Sequence, residues 1–157
     1  MVSFLALLVL LAGLVIYRSL KSAKEVKEIE EVFRDLFLLS PLANERVVIL
    51  KPDDPAWLGK ASHVKERLEF LIDVSQGLGL LEESAPPIKI GIAYMYYYEG
   101  LTEFNCIVLN EKVMGYENKY LDKLLVHEFS HVITWHEDLI HGKIWRKTYK
   151  TLLKRLD

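Results

Sequence analysis

The sequence predicts an α+β fold: a small, mostly antiparallel sheet packed on a central helix and preceded by an N-terminal transmembrane helix. Three observations carry this expectation. Apolar residues recur at three- and four-residue intervals in several charged segments, the mark of amphipathic helices. Between residues 88 and 109 the chain is instead crowded with β-branched and aromatic residues, as strands require. Finally, the sixteen residues from Val2 to Tyr17 carry no charge.

That apolar run would be the first helix of the chain. As a helix it would span roughly 24 Å, short of a bilayer core of about 30 Å unless Arg18 and Lys21 snorkel and Ser19 and Leu20 extend it. A cleaved signal peptide would show a positive charge before the run and an Ala-x-Ala site after it, and neither is visible. The expectation is an uncleaved anchor over residues 1–20, with a helix buried in the fold or in an oligomer as the other alternative. Arg18, Lys21, Lys24 and Lys27 all follow the run and none precedes it. A single-pass membrane protein with its folded domain, residues 21–157, facing the cytoplasm is therefore expected.

Lys21 to Leu39 places Val26, Ile29, Val32, Phe33, Leu36 and Phe37 on a helical stripe that must end before Pro41. Val47 to Leu50 reads as a short strand before the PDDP turn, and His63 to Val74 as a second helix closing near the glycines of QGLG. Ile88 to Tyr98 and Leu101 to Leu109 read as two strands of a hairpin turning at Glu99 and Gly100, with Tyr94, Tyr96 and Tyr98 on one face. Tyr120 to Trp135 is a helix with a broad apolar surface, and Lys143 to Leu156 a last one packing through Ile144, Trp145, Tyr149, Leu152 and Leu153.

Composition removes several function classes. Twenty basic and 22 acidic residues give a formal charge of -2, so no basic field recruits nucleic acid. The single cysteine, Cys106, rules out an internal disulfide and a Cys-rich zinc ribbon.

The chemistry gathers in HEFSHVITWHEDLIHGKIW, residues 127–145, which holds four of the five histidines. His127 and His131 are one helical turn apart, so both imidazoles leave the same side of the helix and reach one ion. Glu128 sits beside them at an angle suited to contacting water at the metal without being a ligand. This is the HExxH arrangement of zincins, in which zinc polarises a carbonyl and the glutamate takes the water's proton. A catalytic site normally takes a third protein ligand. His141 is the strongest candidate, since Gly142 lets the chain turn sharply and the last helix anchors it; Glu137, Asp138 and His136 are the others. His63, far upstream on a charged helix, is expected to be a surface or half-buried histidine.

HEFSH followed by HGKIW resembles the SprT-like zinc metallopeptidase family, over roughly Ile88 to Leu153, and is similar also to the YgjP-like zincins. The resemblance implies a minimal zincin-like domain in which His127, His131 and His141 bind one Zn2+ per chain and Glu128 is the catalytic base. It also implies that CIVLN, Cys106 to Asn110, lies along the cleft beside the active-site helix. The spacing from His131 to His141 is short for the family, and no four-cysteine ribbon is encoded, so roles on DNA-crosslinked proteins do not transfer.

The expected reaction is hydrolysis of an unfolded or extended polypeptide held beside an edge strand, at the membrane to which the N-terminal helix tethers the domain. Tyr149, two turns after His141, is the candidate to stabilise the oxyanion, with Tyr116 the runner-up. A binding or scaffold protein with a structural or inactive zinc site, and a zinc-dependent hydrolase of non-peptide amides, are the competing readings.

Overall fold

The computed structural model describes residues 22–137 and 140–156. Helix α1 covers residues 22–38. It is followed by β1 (Val47–Ile49), a 3-10 turn at Pro55–Trp57, α2 (Ala61–Gly77), β2 (Ile88–Ala93), β3 (Gly100–Glu103), β4 (Cys106–Asn110), a second 3-10 turn at Glu111–Gly115, α3 (Asn118–Ile133) and α4 (Lys143–Leu153).

The α+β expectation holds, but the sheet is mixed rather than mostly antiparallel. Its order is β1-β2-β4-β3, with β1 parallel to β2, β2 parallel to β4, and only β3 and β4 antiparallel. The hairpin turns at Phe104 and Asn105, not at Glu99 and Gly100. Phe104 takes the left-handed conformation, φ 53°, and Asn105 donates from Nδ2 to the Pro87 carbonyl at 2.6 Å, tying the turn to the start of β2. Residues 94–99 therefore leave the sheet as a loop, so Tyr94, Tyr96 and Tyr98 do not share a strand face. Asn110 fixes that loop by donating from Nδ2 to the carbonyls of Met95 and Tyr98, while Glu25 and Glu28 of α1 accept from the Tyr96 and Tyr94 amides.

Both faces of the sheet are covered, and β4 shows how. All five of its residues are buried. Cys106 and Val108 join Leu36, Ala93 and Met95 beneath α1, whereas Ile107 and Leu109 join the larger core of α2, α3 and α4. This is the period-two alternation of a strand packed on both sides, which reads in sequence as an unbroken apolar run. Helix α1 buries Leu36 and packs Ile29, Val32 and Phe33, but Val26 and Phe37, expected on the same stripe, are about half exposed at 50% and 46%. Helix α3 is the spine of the larger layer, with Leu121, Leu125, Val126 and Phe129 fully buried. Asp122 on α3 bonds His63 at 2.7 Å and Arg67 at 3.0 Å, both on α2, so His63 is a half-buried link between helices.

The membrane expectations need correcting. Among the described residues no helix is long and apolar enough to cross a membrane. The transmembrane helix in the fold class, the membrane tether and the single-pass, cytoplasm-facing topology are withdrawn on that finding. The run at residues 1–20 on which they were built lies outside the described residues.

Candidate metal centre

Three histidines from two elements meet at one point. His127 and His131 project from successive turns of α3, and His141 comes from the turn that opens α4. The His141 Nε2 lies 3.1 Å from the His131 Nε2 and 3.2 Å from the His127 Nε2. With metal–nitrogen bonds of about 2.0–2.1 Å, a tetrahedral ion would separate its nitrogen ligands by about 3.3 Å. The donor set fits such an ion in both geometry and chemistry. Burial, then the neighbouring His127 and His141, pulls the His131 imidazole down to about 4, and burial followed by His141 lowers His127 as well. Neutral rings with free nitrogen lone pairs are what a metal requires.

The third histidine is placed by backbone means that the sequence concealed. The left-handed residue is His141 itself, φ 57°, while Gly142 is extended at φ -65° and ψ -169°. Gly142 is needed for space instead: a side chain there would collide with the Glu137 carboxylate. That carboxylate caps α4, accepting at Oε1 from the Ile144 amide (3.0 Å) and at Oε2 from the Trp145 amide (2.8 Å). Glu137 is thus committed to the helix end. His136 is exposed and outside the three-histidine group, and Asp138 lies outside the described residues.

Trp145 backs the cluster, its ring centroids 4.3, 4.9 and 5.2 Å from those of His141, His127 and His131. Tyr149 stacks on Trp145 at 5.0 Å with planes 9° apart, and its ring is 5.9 Å from His127. Glu128 faces away from this wall toward β3. It is only 4% exposed, and its Oε2 accepts from the Thr102 hydroxyl at 2.7 Å. Burial pushes its carboxyl up to about 7, against the lowering effect of the Thr102 hydrogen bond.

Two depressions, about 750 and 580 Å³, share Tyr98, Gly100, His127 and Glu128 and so form one groove past the cluster, beside the sheet's edge strand β3. The larger is walled by tyrosines, among them Tyr116, Tyr120 and Tyr149; the smaller by Leu101, Trp135, Ile140 and Trp145. Tyr120 donates to Glu99 at 2.6 Å, which holds its hydroxyl up at about 12.

The segment carrying all of this has relatives. Residues 81–155 match the SprT-like family. The SprT-like segment runs from just before β2 to the end of α4 and contains β3, the HExxH helix and the His141 turn. No curated protein and no solved structure matches the chain. The SprT-like match and the three-histidine cluster together support a metalloenzyme-like fold with a candidate metal-binding, hydrolytic site. The Thr102 hydroxyl, the space at Gly100, the capping role of Glu137 and the ring support from Trp145 were not assigned from sequence. Glu137 stood there only as a candidate third ligand, and Trp145 through its place in HGKIW and on the packing face of the last helix.

Proposed function

We propose that residues 21–157 act as a zinc-dependent endopeptidase, with His127, His131 and His141 holding one Zn2+ per chain and Glu128 serving as general base. The observation that carries the reading is the convergence of three imidazole nitrogens, two from α3 and one from α4, next to a carboxylate on the same turn of α3. When bound, zinc would supply Lewis-acid polarisation of a carbonyl and of water. The SprT-like and YgjP-like patterns lead to the same three ligands, so the reading does not depend on choosing between them.

In this reading an extended polypeptide lies in the groove beside β3, where strand-like hydrogen bonding holds backbone without regard to sequence. Glu128 takes a proton from the attacking water as its oxygen adds to the carbonyl carbon, and gives that proton to the amine nitrogen as the C–N bond breaks. Tyr149, held flat against Trp145, donates its hydroxyl to the developing oxyanion; Tyr116, in the same groove, is the second candidate. Glu128→Gln keeps shape and polarity while removing the proton acceptor. It should bind zinc at unchanged stoichiometry and cleave denatured casein at least about one hundredfold more slowly than wild type. Equal cleavage by the two proteins would reject the assignment. Zinc binding without cleavage of casein, while a simple amide is hydrolysed, would favour a non-peptide amidase; neither activity in either protein would favour a binding module.

A further inference from the structure

Residues 100 and 102 share one face of β3, and both are shaped around Glu128. Thr102 places its hydroxyl 2.7 Å from Oε2 and 3.3 Å from the Glu128 carbonyl. At Gly100 a Cβ would lie 2.6 Å from Oε1 and 2.8 Å from the carboxyl carbon, so the absence of a side chain is what admits the carboxylate. Leu101, between them, points to the opposite core under α1. We propose that Thr102 is the positioning residue of Glu128 and Gly100 the opening that receives it, so that the strand beside the substrate groove also sets the base. One carboxylate oxygen is held by the Thr102 hydroxyl, and the other lies in the space left open at Gly100. Its effect on turnover rests on the peptidase reading; the contact itself does not.

The two halves of the threonine side chain separate positioning from packing. Thr102→Val keeps the branched shape and deletes the hydroxyl; Thr102→Ser keeps the hydroxyl and deletes the methyl. In the full zinc-loaded chain acting on denatured casein, Thr102→Val should lower kcat at least about tenfold with KM changed less than about twofold. Thr102→Ser should recover to within about threefold of wild type. Zinc content should be one per chain in both. A second readout needs neither zinc nor activity: in zinc-free protein the ¹³C resonance of the Glu128 carboxyl, assigned by its loss in Glu128→Gln, should move in Thr102→Val and in Gly100→Ala and return in Thr102→Ser. Wild-type kcat in Thr102→Val, or equal losses in the valine and serine variants, overturns the proposal as a statement about catalysis. If wild type and Glu128→Gln cut equally, the peptidase reading has failed, and the carboxyl resonance decides alone: one unmoved by Thr102→Val overturns the positioning.

Discussion

Replacing Glu137 with alanine removes both acceptors from the first turn of α4, and the structure fixes what should follow. The carboxylate takes the Ile144 and Trp145 amides at 3.0 and 2.8 Å. Loss of a side-chain cap costs about 1–2 kcal/mol, and loss of a negative charge at a helix N-terminus about 0.3–1 kcal/mol more. The two contributions together centre on about 1.5–2.5 kcal/mol. For a chain of 157 residues that is a fall in Tm of roughly 3–10 °C. Gly142 supplies an internal control. Gly142→Ala drives its new methyl into the carboxylate and should displace the cap, but in the Glu137→Ala background there is nothing left to displace. The two substitutions should therefore be coupled by about 1–2 kcal/mol, the double variant little less stable than Glu137→Ala alone. Urea unfolding of the four zinc-free proteins measures the cycle, and zinc titration of each shows stoichiometry kept at one per chain with weakened affinity. Glu137→Ala that lost zinc altogether while keeping full zinc-free stability would make the carboxylate a ligand and refute the capping argument; additive losses would refute the steric one.

Elemental analysis should find one zinc per chain in wild type, most of it lost in His141→Ala and retained in His136→Ala and His63→Ala. Chelation should lower Tm by about 5–10 °C when the starting zinc concentration is about 100 Kd, since binding then contributes about 2.7 kcal/mol. Tyr149→Phe should keep zinc and the stack on Trp145 yet lower kcat about tenfold or more, with KM little changed. If Tyr116→Phe gives that loss and Tyr149→Phe does not, the oxyanion role passes to Tyr116.

The parts of this molecule legible in sequence are those whose partners lie within a turn or two along the chain. His127 and His131 follow from i, i+4 geometry, and α2, α3 and α4 from apolar periodicity. The hairpin was not legible because Leu101 to Leu109 is nearly continuous in strand-forming residues, with no glycine at the turn; Phe104 adopts a left-handed φ without the usual residue for it. The parallel pairings were hidden for a related reason. β4 is covered on both faces and shows no polar alternation through Cys106 to Leu109, and in β2 Lys89 alone interrupts the apolar and small residues, so neither carries the sustained alternation of a half-exposed antiparallel strand.

The candidate site divides along the same line. Its HExxH half is local, but the group that orients Glu128 lies 26 residues upstream on another element, and the third histidine 14 residues from the first. Glu137 shows why spacing alone could not choose that third donor. It is a carboxylate close to His131 in sequence, with the right chemistry for a metal, and what removes it from contention is the pair of unsatisfied amides created when α4 begins at Lys143. A helix start needs acceptors whether or not a metal is near. By occupying Glu137, the beginning of α4 leaves a half-buried group of three imidazoles, and the left-handed backbone at His141 turns the last of them inward to meet α3. The cap and the cluster are thus one structural solution: the same turn that ends the search for an acceptor supplies the third nitrogen.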